Sequence, residues 1–216
     1  MISPDKRRAY AAPQIVSTKS ERAREPYSIS PLWLYPGFPR KLPSAMHDIR
    51  IRPALRTDLP RLTEIYNHYV IHTPITFDLA PHTVEARVPW FEQFAHTGRH
   101  RLLVAEENSL VLGYAGTTKF RNKAAYETSV ETTIYCSHDS LGKGIGSRLY
   151  AALFEALAAE DIHQLVAGYT LPNAASLALH ERFGFKPVAV FTEVGRKFGR
   201  YWDVGFSQRP LRVIGQ

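Results

Sequence analysis

Three glycines within five residues, Gly142-Lys143-Gly144-Ile145-Gly146, separate two segments of opposite periodicity. Upstream, Thr128 to Cys136 is rich in β-branched residues and predicts a long strand. Downstream, Ile145, Leu149, Leu153 and Leu157 recur every four positions and predict a helix over 145–159. A strand, a glycine loop and a helix start form a specific device. Glycines let an anion approach the backbone closely, and the first N–H groups of the helix carry the positive end of its dipole. The junction therefore predicts a cradle for a diphosphate, with a plain glycine-rich turn as the alternative. It is not a nucleotide-triphosphate loop, because no Gly-Lys-Ser/Thr closes it in frame, nor a dinucleotide fingerprint, because it follows the fourth predicted strand.

The other segments build a mixed α/β domain around this junction. Ile49 to Arg52 alternates as a strand. Thr57 and Asp58 precede a helix marked by Leu59, Leu62, Ile65 and Tyr69, with Pro60 in its first turn. His82 to His96 is expected to be a second helix, with Val84, Val88, Phe91 and Phe94 as its apolar marks. Leu102–Ala105 and Leu110–Ala115 flank Glu107-Asn-Ser109 as a hairpin. Ile162–Ala167 is a short strand, Asn173–Phe183 a helix ended by Gly184, and Lys186–Thr192 and Tyr201–Ser207 the closing strands. The predicted order is β-α-α-β-β-β-α-β-α-β-β, without repeats.

Charge and proline divide the chain of 216 residues into two parts. Residues 1–46 hold eight Lys or Arg against three Asp or Glu, so most of the net charge of +7 lies there. They also hold seven of the 15 prolines, a density that excludes regular helix or alternating strand. Residues 1–46 are expected to be a disordered or loosely docked extension, and residues 47–216 the folded domain. Met46 is a candidate true start, which would make residues 1–45 dispensable. Because the excess charge is confined to the extension, no nucleic-acid partner is expected of the domain. No apolar run approaches the ~18 residues of a membrane span, so a cytoplasmic location and no membrane partner are expected. One cysteine, Cys136, excludes an intrachain disulfide and a cysteine-rich zinc site, and no metal is expected.

The run from Val130-Glu-Thr-Thr-Ile-Tyr135 through Gly144-Ile-Gly146-Ser-Arg-Leu-Tyr150 resembles the acetyl-CoA site of the GNAT superfamily of N-acetyltransferases. That superfamily carries Gln/Arg-x-x-Gly-x-Gly/Ala; here Leu141 fills the first slot, a departure that backbone amides and Lys143 can offset. Ile65-Tyr-Asn-His-Tyr69, Phe77, Lys119-x-Arg121-Asn122, Tyr126, Leu171-Pro-Asn173, His180-Glu-x-x-Gly-Phe185 and Gly195-x-Lys197-x-Gly199-x-Tyr-Trp202-Asp203-Val204-Gly205 extend the resemblance. Together they resemble phosphinothricin N-acetyltransferases and the related methionine sulfoximine/sulfone acetyltransferases, from about Ile49 to Leu211. The resemblance implies the GNAT acyl-CoA N-acyltransferase fold, a central mixed, largely antiparallel sheet flanked by helices. It implies acetyl-CoA as co-substrate, a small-molecule amine as acceptor, and a homodimer.

Individual residues then acquire expected roles. Glu131, Thr133 and Tyr135 share one face of their strand. A carboxylate on such a strand is costly unless paired or used, so Glu131 is either a general base for the amine or an ion-pair partner of Arg121. The resemblance favours the base. It also places His180 at the active site, as a base or as proton donor to the leaving thiolate. Ile134, Tyr135 and Cys136 are expected to offer backbone groups to the pantetheine arm and the acetyl carbonyl. Cys136 itself is expected to be a small buried hydrophobe rather than a nucleophile. Leu141, Gly142, Lys143, Gly144, Ile145, Gly146 and Ser147 form the diphosphate cradle. The resemblance implies that Asn173 and Ser176 contact the pantetheine, with a helix cap as the alternative role for Asn173. Lys119, Arg121 and Tyr126 are expected to clamp the acidic end of the acceptor, since Arg presents a fork matched to carboxylate. Phe77 is expected to wall the pocket. Lys197, Trp202 and Asp203 are expected to be structural or dimer contacts.

The implied reaction is direct attack of a neutral α-amine of a small acidic amino acid or analogue on the thioester in a ternary complex. The rivals are an N-acetyltransferase for a polyamine, an aminoglycoside or a peptide N-terminus, and a non-catalytic acyl-CoA-binding regulatory module.

Overall fold

A computed structural model of the chain describes residues 49–211. The expectations for residues 1–46 and for Met46 lie outside the described residues. The strands are β1 (Arg50–Pro53), β2 (Leu102–Glu107), β3 (Leu110–Lys119), β4 (Ser129–Cys136), β5 (Gln164–Thr170), β6 (Lys186–Lys197) and β7 (Arg200–Pro210). The helices are α1 (Leu59–His72), α2 (Val88–Phe91), α3 (Ile145–Leu157) and α4 (Ala174–Arg182). The seven strands form one sheet in the order β1-β2-β3-β4-β5-β7-β6. Every neighbouring pair is antiparallel except β4 and β5.

Both faces of the sheet are covered, so the central strands read as continuous apolar runs rather than alternations. Leu103 and Ala105 of β2 point into a core with Leu149, Leu153 and Leu157 of α3, while Leu102 and Val104 point into a second core with Leu62 and Ile65 of α1. Each fully buried leucine of α3 stabilises the fold by about 1.5–3 kcal/mol.

The parallel pair is the site-forming irregularity. β4 and β5 are in register only at Ser129–Gln164, Val130–Leu165 and Glu131–Val166. Beyond Glu131 the two strands diverge, while β4 stays paired with β3 as far as Cys136. One backbone edge of Thr133–Cys136 is thereby left without a strand partner.

Two expectations are corrected. The segment 82–96 is not one helix: a 3-10 turn at Glu85–Arg87 leads into the single turn of α2. Pro89 lacks an N–H and fits only a first helical turn, and the backbone of His82 is held by both amide atoms of Asn67 at 2.8 and 2.9 Å. The last hairpin is also longer than expected. β6 runs on to Lys197 through a bulge between Phe191 and Gly195, where Glu193 adopts φ +53° and its N–H donates to Asp203 Oδ1 at 2.8 Å. The tight turn uses Phe198 and Gly199, both at positive φ. Ile162 precedes β5, which starts at Gln164 and runs to Thr170.

Candidate active site

A cavity of about 1020 Å³ opens where β4 and β5 part. Its lining includes Tyr66, Tyr69 and Trp90 from the α1/α2 face and Ile145, Leu179 and His180 from the α3/α4 face. It therefore passes through the plane of the sheet. Most of the expected site residues line it: Glu131, Ile134, Tyr135, Cys136, Leu141, Gly142, Gly144, Ile145, Gly146, Ser147, Asn173, Ser176, His180 and Lys119.

On the α3/α4 side the glycine loop has the backbone of an anion cradle. Gly142 and Gly144 adopt φ +77° and +75°, conformations that β-carbons disfavour. Gly144 caps α3 without any side-chain hydrogen bond, so the first-turn N–H groups at Ile145, Gly146 and Ser147 are left for an outside acceptor. A β-carbon on Gly146 would stand 3.3 Å from Leu179 Cδ2 and 3.4 Å from Ile134 Cδ1, which keeps this wall low. The cradle fits the diphosphate of acetyl-CoA. Lys143 is exposed and does not line the cavity. Arg182, at the end of α4, does line it and donates to Ser147 Oγ at 3.1 Å. It shares a helix face with Ala175, Ala178 and Leu179, at i−7, i−4 and i−3, and that spacing is the signal that could have found it.

Asn173 is the N-cap of α4, its Oδ1 accepting from Ser176 N–H at 3.0 Å. The capping reading holds, and the amide nitrogen of the same side chain is not used by the cap.

His180 is buried, and both ring nitrogens are engaged. Nδ1 lies 2.7 Å from the carbonyl oxygen of Ser176, which can only accept, so Nδ1 carries the proton. Nε2 then accepts from the Tyr150 hydroxyl at 3.0 Å. Burial lowers the His180 pKa, opposed by the Ser176 hydrogen bond, and keeps the ring neutral. In this tautomer Nε2 has no proton to deliver to a thiolate.

Glu131 lies where the β4–β5 ladder ends, on the face of β4 that also carries Tyr135. Tyr135 packs against Tyr66, Tyr69 and Tyr114, which fixes that face as the α1/α2 side. Burial raises the Glu131 pKa, with Arg121 pulling it back. No ion pair among the described residues includes Glu131, so the Arg121 pairing is not formed. Cys136 is pushed up to about 11 by burial, as suits a packed thiol.

The expected acceptor clamp is only partly assembled. Lys119 lines the cavity, but Arg121 and Tyr126 are exposed and stay outside it, packed on the Phe120 ring. Phe77 also stays outside the cavity. Its ring fills the space over Gly195, where a β-carbon would come within 2.2 Å of it. Lys197 is buried and donates to the Thr76 carbonyl at 2.7 Å, and Trp202 Nε1 donates to the Lys197 carbonyl at 3.0 Å. These residues are structural: they pin the 73–82 loop to the last hairpin. Among the described residues no cluster of His, Cys, Asp and Glu is arranged to hold a metal ion.

Comparison with known proteins decides the family. The family model described as an acetyltransferase (GNAT) domain matches residues 51–205. The chain belongs to the GNAT acetyltransferase family. It is an acetyl-CoA-dependent N-acetyltransferase, and the mixed, mostly antiparallel sheet flanked by helices is the GNAT fold. Over 166 residues it is 54% identical to a phosphinothricin N-acetyltransferase of Streptomyces coelicolor, covering 76% of this chain and 97% of the relative. An L-methionine sulfoximine/L-methionine sulfone acetyltransferase of Salmonella typhimurium is 37% identical over 161 residues, with 74% of this chain and 94% of that one covered. Among solved structures, a GNAT superfamily phosphinothricin acetyltransferase from Sinorhizobium meliloti in complex with acetyl-CoA superposes with a TM-score of 0.72 at 34% identity. That match covers 76% of this chain and 89% of the other.

Proposed function

We propose that this enzyme acetylates the α-amine of a small acidic amino acid or amino-acid analogue, of the phosphinothricin or methionine sulfoximine type. The observation that carries this reading is Glu131: a half-buried carboxylate without an ion pair, its pKa raised by burial, in the cavity where β4 leaves β5. An unpaired carboxylate whose proton affinity is raised by desolvation is a proton acceptor suited to an ammonium. Lys119 also lines the cavity and supplies positive charge for the acceptor's acid group, with Arg121 and Tyr126 outside it.

Acetyl-CoA supplies an activated acyl group and a thiolate leaving group. The residues of the chain do the rest. The first-turn amides of α3, flanked by Arg182 and Lys143, hold the diphosphate. The free edge of β4 at Ile134–Cys136 aligns the pantetheine as an added strand, with Asn173 and Ser176 opposite. Glu131 takes the ammonium proton, and the neutral amine then attacks directly within the ternary complex. His180 acts through Tyr150, fixing its hydroxyl in the wall of the cavity. The enzyme works as a cytoplasmic homodimer.

Thiol release from acetyl-CoA across a panel of acidic amino acids, polyamines, aminoglycosides and peptides tests the reading. Acidic amino acids and their analogues are expected to turn over fastest. A preference for polyamines would overturn the substrate class. Intact acetyl-CoA binding with no turnover of any amine would favour the regulatory module instead.

A further inference from the structure

The acceptor side of the cavity contains a cation that nothing above has used. Arg87 is 5% exposed, yet it lines the cavity. Its guanidinium is clamped between two rings, 4.3 Å from the centre of Tyr66 and 3.9 Å from that of Trp90. Its Nη1 and the buried hydroxyl of neighbouring Tyr114 face each other and have no other hydrogen-bond partner. None of the ion pairs among the described residues includes Arg87. An acid that feels its charge is Asp78, which is already engaged by the Tyr66 hydroxyl at 2.6 Å and His82 Nε2 at 2.7 Å.

A buried guanidinium without a paired carboxylate is costly, whereas one whose anion arrives with a ligand is a receptor. Stacking on two aromatic faces fixes its plane without using its N–H groups, leaving the fork free for an oxyanion. Tyr114 adds a hydroxyl beside it.

Position along the sheet says which end of the acceptor it reads. Glu131 stands opposite Thr118 in the β3–β4 ladder, one pair from Lys119. Tyr114 stands opposite Tyr135, four residues further on, or about 13 Å of strand. An amine at Glu131 keeps its α-carboxylate at the Lys119 end. A group at the far end of the acceptor's side chain points the other way along the ladder, toward the cavity wall that Tyr114 and Arg87 line.

We propose that Arg87 is a specificity-determining residue that binds the distal oxyanion of the acceptor, a phosphinate or comparable polar oxygen group at the end of the side chain. This rests on the amino-acid acetylation reading and refines it: the substrate is an amino acid polar at both ends.

The test compares kcat/KM for phosphinothricin with that for L-norleucine, whose tail has no oxygen, in the wild type and in Arg87→Gln. The wild type is expected to prefer phosphinothricin by about 10- to 100-fold, the range of a charge-assisted hydrogen bond. Arg87→Gln is expected to bring that ratio near one, with KM for acetyl-CoA unchanged. Arg87→Lys, which keeps the charge and loses the fork, covers the case in which Arg87→Gln does not fold, and should lower the ratio part-way. A wild-type ratio near one overturns the proposal whatever the variants do, as does a ratio that survives in either folded variant. If the wild type turned over neither acceptor nor any other amine, the acetylation reading itself would fall and take this proposal with it. Norleucine and phosphinothricin acetylated alike would overturn the role of Arg87 alone.

Discussion

Glu131 shows how one side chain carries opposite demands. Its burial raises the pKa, so the folded state holds the proton more tightly than the unfolded chain does. The sign follows: ionised Glu131 costs stability, a cost absent below the ordinary carboxylate pKa and fully present once pH passes the raised folded value. Glu131→Gln is therefore expected to melt at or above the wild-type temperature at pH 8, with the difference shrinking at pH 4. The same variant is expected to lose about 100- to 10,000-fold in turnover, the usual contribution of a general base, with acetyl-CoA affinity unchanged. Calorimetry at the two pH values and single-turnover kinetics check the two halves separately; a wild-type rate would remove Glu131 as the base. Glu131 was legible in the sequence because a carboxylate stood out on a β-branched run. Arg87 was not, because its neighbours were read as an ordinary helix in which an arginine is a solvated residue. The partners that bury it, Tyr66 and Trp90, come from α1 and α2 and meet only in the folded chain. The state of His180 was equally hidden, since its tautomer depends on a backbone carbonyl and a tyrosine thirty residues upstream.

At the level of elements, legibility followed periodicity. α1, α3, α4 and the central strands carry long, regular patterns and stand within a few residues of their expected limits. The segment 82–96 misled because apolar spacing says nothing about the side-chain clamp from Asn67 or about where Pro89 allows a helix to begin. The divergence of β4 from β5 was not readable either, because parallel pairing leaves no local turn signal. The glycine cradle was readable, since positive φ demands glycine. Gly144→Val places a β-branched residue at φ +75° and is expected to distort the start of α3. KM for acetyl-CoA should rise about 10- to 100-fold, as for one lost hydrogen bond to a charged group, while KM for the acceptor moves little. An unchanged acetyl-CoA KM would take the diphosphate away from this loop.

On the scale of the molecule, β6 is an edge strand with little cover. Val188, Val190, Phe191, Val194, Phe198 and Tyr201 of the last hairpin are each between 49% and 60% exposed. A long apolar edge invites pairing, and a second copy of the chain is the partner that the homodimer reading requires. Val190→Asp combined with Val194→Asp is expected to halve the mass in sedimentation with the circular dichroism unchanged; a persistent dimer would locate the interface elsewhere. The same hairpin reaches back through Lys197 and Gly195 to hold the 73–82 loop, whose Asp78 lines the cavity, so an interface on β6 would stiffen one wall of that cavity. The gap between β4 and β5 has a further consequence. The cavity is lined from the α1/α2 face as well as the α3/α4 face, so a nucleotide on one side and an amine on the other are expected to have separate approaches. On that reading, initial-velocity kinetics are expected to show no fixed order of substrate addition.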